Sequence, residues 1–364
     1  MTTIVVDALS VRLGGGLTYT GSQLAALARV RPDLDLRVLV APNEGGRALA
    51  ARLDGADLRI PVAGGTLRRV LWEQVRLARA APPGSVLHCP GNVAPLQHHE
   101  VPVVLVLQNP NAFGSGRHEP WNRSPRRRAR IALMRASAKA ADRIVAVSQA
   151  MADLVVGDLP DLADRVVVVR DGAPTWDLPS SPPTRLHLDP GSYLLSVAQD
   201  WPHKRLDALV ATWSAAFAGR ADVTPLVMVG EVSESVRTRR ESLVVPSLRQ
   251  HLLQLGAVAD RGELRWLLEH AQASVSVSAL EAHPHGPAEA GALGCPLVLS
   301  DTAPHREVTA PAGQDATTFV GLQDADALVQ ALREPPTDRT PWTWPVTWDD
   351  NARQLAALLD ELAA

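Results

Sequence analysis

Glu281 and Glu289 stand with seven residues between them, Ala282-His-Pro-His-Gly-Pro-Ala288. Pro284, Gly286 and Pro287 break the alternating run Ala273–Ser278 that precedes them and make a tight loop. Pro287 suits a first helical position, because it has no N–H to leave orphaned. The sequence predicts a short helix over Ala288–Leu293, stopped by Gly294, and a further strand over Cys295–Ser300. Backbone amides near residues 286–289 would then be free and point off a helix N-terminus, which is an anion site suited to phosphate. Glu289 would sit in the first turn beside that anion. A carboxylate there has a use if it accepts two hydrogen bonds from a vicinal diol, as a ribose on a diphosphate presents. Glu281, on the loop entering the site, would do the same for a sugar. In the plainer reading Glu289 only complements the helix dipole and Glu281 is a solvated loop residue.

Other residues with chemistry lie at predicted strand ends. The run Tyr193–Ala198 closes on Gln199-Asp-Trp-Pro-His-Lys204-Arg205. A lysine opening a helix opposes the helix dipole and favours an anion beside it; an ordinary surface lysine is the alternative. His88-Cys-Pro-Gly-Asn92 and Gln108-Asn109-Pro-Asn close two strands of the first half. A satisfied buried histidine and a turn asparagine explain His88 and Asn92 equally well. Gly14-Gly15-Gly16 follows the first strand and precedes a helical pattern, where glycine lets backbone approach a ligand closely, or simply makes a turn. His283 and His285, with Glu281 and Glu289, would also form a zinc-type donor set, which Pro284 between them disfavours. Arg123 to Arg135 is a basic cluster, read as a solvated helix face or as a contact for an anionic acceptor or a membrane surface.

Short apolar runs alternating with helical patterns must position these groups. They fall at Thr3–Val6, Leu36–Val40, Leu58–Val62, Val86–Cys89, Val101–Leu107, Ile144–Val147 and Val166–Val169, then Tyr193–Ala198, Leu226–Val229, Ala273–Ser278, Pro296–Ser300 and Thr317–Val320. Continuous Val/Leu/Ile runs mean strands covered on both faces, so the class is α/β with parallel sheets. Residues 171–183 carry four prolines in a polar setting and read as a linker. The 364 residues suit two domains, 46% hydrophobic content builds cores, and a net charge of −3 gives no drive toward nucleic acid. Two cysteines, Cys89 and Cys295, in separate apolar strands argue against a disulfide framework and for a reducing cytoplasm. The first residues read as a strand rather than a signal peptide, and no apolar run approaches ~18 residues.

Glu-x7-Glu, the helix into Gly294-Cys-Pro296 and the strand ending Ser300-Asp301 resemble the donor site of retaining glycosyltransferases of the GT-B fold, glycosyltransferase family 4 (group 1). The resemblance is strong from Tyr193 to Asp301 and weak in the first half. It implies two Rossmann-like domains facing across a cleft: residues 1–175 for the acceptor, 185–340 for a nucleotide-sugar donor, and 341–364 as a helix crossing back. It implies that Lys204 and Glu281 are catalytic and that Gly15, Gly16, Gln199, Lys204, Arg205, Gly230, His285, Gly286, Pro287, Ala288 and Glu289 bind the donor. His88, Asn92, Gln108 and Asn109 would face the acceptor. Three departures matter. Ala282, His283 and Pro284 stand where the family has glycine, an aromatic and glycine. Gln108 replaces a histidine and cannot take a proton. Gln199 replaces an arginine on the diphosphate. The implied reaction moves a sugar to a hydroxyl of a small-molecule, glycan or lipid-linked acceptor, without cofactor or metal, in the cytoplasm or at the inner membrane face. Rival readings are a sugar-nucleotide epimerase, which needs an acid/base pair where the first half offers few acids at strand ends, a non-catalytic nucleotide-sugar or metal-binding protein, and an inactive scaffold.

Overall fold

The computed structural model describes residues 2–12, 14–53, 57–60, 65–97, 101–184, 186, 188–312 and 314–363. The chain forms two compact units, one running to Gly172 and resuming at Val346, the other spanning Ala173–Pro345. The first holds β1 (Thr3–Ala8), α1 (Gly15–Val30), β2 (Asp35–Val40), α2 (Glu44–Ala50), β3 (Asp57–Arg59), α3 (Thr66–Val75), α4 (Leu77–Ala80), β4 (Val86–Cys89), β5 (Val103–Leu107), α5 (Pro125–Ala140), β6 (Arg143–Ala146), α6 (Gln149–Asp158) and β7 (Val166–Val168). Its sheet runs β3-β2-β1-β4-β5-β6-β7, every pair parallel. β5, Val-Val-Leu-Val-Leu, is buried at every residue, as a strand covered on both faces must be. β3, at the edge, is exposed throughout; the part of its predicted run at residues 61–62 lies outside the described residues.

The second unit holds β8 (Leu194–Val197), α7 (Leu206–Phe217), β9 (Leu226–Val229), α8 (Glu234–Ser242), β10 (Leu252–Gly256), α9 (Arg261–His270), β11 (Ala273–Ser276), α10 (His285–Ala292), β12 (Leu297–Ser300), α11 (Ala303–Val308), β13 (Thr317–Val320) and α12 (Ala325–Arg333). Its parallel sheet runs β10-β9-β8-β11-β12-β13 over a core that includes Leu194, Trp213, Phe217 and Val298. The polar Gln254 hides β10 from a hydrophobicity reading, and the sequence analysis does not find that strand. In both sheets the order reverses once, beside β1 in the first and beside β8 in the second, and ligands of doubly wound sheets bind at such points.

One segment differs from the plain linker expectation. Residues 176–181 are tied onto α9: Arg265 Nη1 donates to the carbonyls of Trp176 and Leu178 at 2.8 and 2.7 Å, and Ser181 N–H to that of Gly262 at 3.1 Å. The last helix, α13 (Trp348–Ala363), packs on α1 in the first unit. Trp348 meets Tyr19 edge-on at 5.9 Å, Gln23 Nε2 donates to Asn351 Oδ1 at 3.0 Å, and Arg31 pairs with Asp360 at 2.6 Å. Where the chain leaves and re-enters this unit, a Cβ on Gly172 would lie 2.4 Å from the Trp348 amide nitrogen. Gly172→Ala therefore has to move backbone, and is expected to destabilise by about 1–3 kcal/mol. Gly157→Ala, in α6 with nothing within 4 Å of the new methyl, is expected to be neutral or to stabilise by up to about 1 kcal/mol. Urea denaturation compares them; a Gly172→Ala midpoint equal to wild type would show that α13 is not seated this tightly.

Candidate functional site

The site follows from the strand reversal in the second sheet. β8 and β11 are neighbours, so the loop leaving β8 (residues 198–205) and the loop leaving β11 (residues 277–284) emerge side by side. The first is stiff. Trp201 Nε1 donates to Gln199 Oε1 at 3.0 Å, and Pro202–Lys204 make one 3-10 turn. Arg205 then takes a left-handed conformation, φ 53°, rare for a residue with a side chain, before α7 begins. Lys204 thus ends a turn ahead of the helix, whereas the sequence analysis expected it to open the helix itself. The Ala279 N–H donates to the His203 carbonyl at 2.8 Å and joins the two loops. Across that joint Lys204 Nζ meets Glu281 Oε1 at 2.5 Å. Burial acts to raise the Glu281 carboxyl, but the Lys204 ammonium and hydrogen bonds from Lys204 and Ser278 outweigh it and hold the group below its ordinary value.

Close backbone packing fixes this edge. Gly230, ending β9 at φ 149°, has space for no side chain: a Cβ would lie 1.9 Å from the Ala198 carbonyl oxygen. Beside it a pocket is lined by Ser196, Ala198, Met228, Glu231, Gln254 and Arg240. Arg240 is 3% exposed and is held by Asp207 at 3.1 Å and by Asp200. Gly286 lies against the end of β8, a Cβ there being 3.2 Å from the Val197 carbonyl.

The second acid is placed differently from the prediction. α10 starts at His285, so Pro287 is its third residue and Glu289 lies in its second turn. The Ala288 N–H is already bonded to the Pro284 carbonyl at 3.2 Å, and His285 N–H to that of His283 at 3.1 Å. The expected array of free amides shrinks accordingly, toward Gly286. Glu289 Oε1 accepts from Arg261 Nη1 at 2.9 Å, and the Arg261 guanidinium lies 4.3 Å over the Trp176 ring. Burial wins at Glu289 and its carboxyl sits above the ordinary value, with Arg261 opposing. Each acid being taken by a cation, Glu281, Glu289, His283 and His285 do not form the four-ligand set weighed from the sequence. Arg205 is also turned elsewhere than expected: its Nη1 donates to the Leu322 carbonyl at 2.6 Å.

His283 and His285 lie edge to face, rings 5.0 Å apart, and His283 packs against Trp344 at 5.7 Å. Burial lowers both, His285 to about 4, and the neighbouring Lys204 adds to that shift. Behind the pair lies a buried network the sequence analysis missed. His305, fully buried, has Nδ1 at 2.9 Å from the Ser300 carbonyl and Nε2 at 3.3 Å from Ser276 Oγ, while Ser300 Oγ donates to the Ser278 carbonyl at 2.5 Å. Its only signal was a histidine just past the Ser300-Asp301 strand end.

Three of the four acceptor-side candidates are bonded to one another at the ends of β4 and β5 in the first unit, and His88 lies within β4. Asn92, left-handed at φ 65°, accepts from the Gln108 and Asn109 amides at 2.6 and 2.8 Å. Gln108 Nε2 donates to the Pro90 carbonyl at 2.8 Å, and Asn109 Oδ1 accepts from the Asn111 amide at 3.0 Å. His88, fully buried, has Nε2 at 3.0 Å from Gln23 Oε1 and no partner at Nδ1; burial lowers it to about 4. Gly15 and Gly16 open α1, and a Cβ on Gly16 would meet nothing within 4 Å, so this chain's own packing does not require glycine there. One acid at a strand end of this half was overlooked. Asp7, inside the apolar β1, is raised well above its ordinary value by burial and then by Glu73, but its Oδ1 accepts from the Leu9 amide and it is 5% exposed.

Both ends of the chain find relatives. Residues 13–177 match the family model Glycosyltransferase Family 4, and residues 191–335 match Glycosyl transferases group 1. Among solved structures, Anabaena HepE in complex with UDP-glucose aligns with a TM-score of 0.65 at 15% identity over 100% of this chain and 98% of that one. Sucrose-phosphate synthase from Thermosynechococcus elongatus aligns with 0.65 at 18% identity over 100% and 96%. S. aureus TarM, solved with UDP and alpha-GlcNAc-glycerol, aligns with 0.65 at 10% identity over 100% and 98%. No curated protein matches by sequence. These likenesses, over two parallel sheets with helices, give the fold as GT-B.

The imidazoles supply a direct check. Ring resonances of His285 and His88 are expected to stay those of neutral imidazole at pH 7 and to titrate near 4, not near the ordinary 6.5. Two-dimensional NMR of ring carbons reads this; a midpoint near 6.5 for His285 would mean that α10 does not bury it.

Proposed function

The chain belongs to the group 1 glycosyltransferases, and from that premise we propose that it moves a sugar from a nucleoside-diphosphate sugar to a hydroxyl acceptor, with retention and without a metal. The observation that carries the reading is the Lys204–Glu281 pair at the β8/β11 strand ends, with α10 and Glu289 beside it. In this reading the second unit binds the donor and the first unit the acceptor. The structural neighbours solved with UDP and UDP-glucose make a UDP-sugar the first donor to test.

In the proposed reaction the bond from the anomeric carbon to the phosphate oxygen breaks while the acceptor oxygen bonds to the same face. The acceptor proton passes to the departing phosphate oxygen, and the nucleoside diphosphate leaves. Negative charge grows on the diphosphate as the bond breaks. A preorganised cation aimed at that charge is the main electrostatic aid these residues offer. Lys204 is that cation, held in place by Glu281 before any ligand arrives. Glu281 is also near enough to the sugar position to accept a hydroxyl hydrogen bond. Glu289 accepts the ribose diol, exchanging its bond with Arg261 for two hydroxyls. His285, neutral at pH 7, can hydrogen-bond the sugar without adding charge. No proton is assigned to Gln108, which cannot accept one. Metal independence is supported by the pairing of both site acids with cations, Glu281 with Lys204 and Glu289 with Arg261. The protein works in the cytoplasm in this reading, on a small-molecule, glycan or lipid-linked acceptor, with Arg123–Arg135 as a contact to the inner membrane face; no helix among the described residues is long and apolar enough to cross a membrane.

Lys204→Ala is expected to lower kcat by roughly 10²–10³, the scale for losing one preorganised donor, with a smaller change in donor affinity. Lys204→Ala with Glu281→Gln removes the stranded carboxylate, and is expected to fold as wild type and remain slow. Glu289→Ala is expected to weaken UDP binding by about 1.5–3 kcal/mol. Calorimetric titration and steady-state kinetics measure these effects; wild-type turnover in both Lys204 variants would remove the diphosphate from this strand edge. Turnover is also expected to persist in EDTA, and full loss restored by manganese would overturn the metal-free mechanism.

A further inference from the structure

Helix α3 carries an apolar stripe that is exposed among the described residues. Leu67, Leu71 and Val75, spaced i, i+4, i+8 on one helix face, are 83%, 62% and 41% exposed. Residues that large are normally exposed singly, not in line. The opposite face is anchored: Glu73 is 2% exposed and takes Arg69 at 2.8 Å. Leu96, 42% exposed, continues the stripe, since its N–H donates to Gln74 Oε1 at 3.1 Å. The stripe is rimmed by positive charge. Arg68 and Arg76 are exposed on α3 and just past its end. α5 lies alongside, because the Ala94 carbonyl accepts from both Gln74 of α3 and Ser137 of α5 at 3.0 Å. Arg123, Arg126, Arg128 and Arg130 are exposed there, and residues 120–141 contain no acid. Arg130 is pushed below its ordinary value, first by partial loss of water and then by the like charges of Arg69, Arg127 and Arg126. Clustered arginines repel one another unless an anionic partner covers them.

The geometry points to one surface made by α3 and α5 that seats this unit on an anionic lipid bilayer, leucines inserting at the headgroup boundary and arginines pairing with lipid phosphates. The inference rests on the membrane contact proposed above for Arg123–Arg135 and adds to it an apolar anchor from a helix that contact did not include. Charge complementarity selects the occupant: a bilayer with anionic headgroups offers apolar depth and negative charge in one plane, which is what an amphipathic basic surface binds. A second copy of the chain would bring the same arginines against each other.

Co-sedimentation of the full chain with vesicles tests it. Binding is expected to vesicles of phosphatidylserine and phosphatidylcholine in equal parts, not to phosphatidylcholine alone, and to be released at about 1 M salt, where charge is screened beyond ~3 Å. Leu67→Glu with Leu71→Glu, and Arg126→Glu with Arg128→Glu, are each expected to lower partitioning at least tenfold while UDP affinity and circular dichroism stay at wild type. Loss in the arginine pair alone would leave the earlier electrostatic contact standing and overturn the two-helix surface. No binding by wild type, or equal binding to neutral vesicles, overturns both, without touching the transferase reading, which UDP titration decides separately. A dimer in sedimentation velocity that the leucine pair abolishes, with no vesicle binding, would assign the face to a second copy instead.

Discussion

In a parallel sheet every strand ends on one edge, and where the strand order reverses, the crossovers leave on opposite faces and that edge stays open. In the second unit the reversal lies between β8 and β11, and the rest of the site is a consequence of it. Lys204 and Glu281 are 77 residues apart in sequence and 2.5 Å apart in space because their loops leave adjacent strands. The loops cannot drift, because backbone packs on backbone: Gly230 against Ala198, Gly286 against Val197, and Ala279 N–H on the His203 carbonyl. Side chains would hold the pair less firmly than these contacts, which leave no room even for a methyl group at Gly230.

The two reversal points carry opposite electrostatics. In the second unit four acids near this strand edge have cations: Glu281 has Lys204, Glu289 has Arg261, and Asp200 and Asp207 share the buried Arg240. Removing one partner would strand a buried charge, which costs more than the pair contributes. In the first unit Asp7 and Glu73 have Arg69 between them, and burial pushes both carboxyls up, toward the neutral form. A site that keeps its ions charged and cross-paired can exchange one partner for an anionic ligand without creating an unpaired charge. A site that suppresses charge suits neutral hydroxyl groups. Under the proposed reading the first arrangement would serve the diphosphate and the second the hydroxyl acceptor.

Most strands were legible because a fully covered parallel strand is a run of Val, Leu and Ile, and β5 contains nothing else. β10 was missed because Gln254 breaks its run while bonding the Arg237 carbonyl with Nε2, a partner no local pattern reveals. The Glu281/Glu289 spacing marked the site, yet not what each acid holds. Arg261 reaches Glu289 from α9, 28 residues earlier, and only tertiary packing brings them together. The start of α10 was misplaced because Pro is tolerated throughout the first helical turn, and the helix opens two residues earlier, at His285, with Gly286 against the end of β8. Residues 171–183 looked like a free linker because composition cannot show that Arg265 and Gly262 hold the strap from outside it.

In the loop after β8 a glutamine stands where the resembled family has an arginine. Gln199 carries no charge and accepts from the Trp201 indole, so it shapes the loop instead of neutralising a phosphate. Arg205 does not replace the missing charge. Its left-handed backbone, a conformation costing on the order of 1 kcal/mol, sends the side chain to the Leu322 carbonyl beyond β13. Of the loop's lysine and arginine, only Lys204 reaches Glu281. That ammonium is fixed by a carboxylate which the lysine and its hydrogen bonds hold below the ordinary value. A cation immobilised in this way needs little reorganisation when charge develops beside it, and in the proposed reaction that property would let one lysine do what two mobile cations would otherwise share.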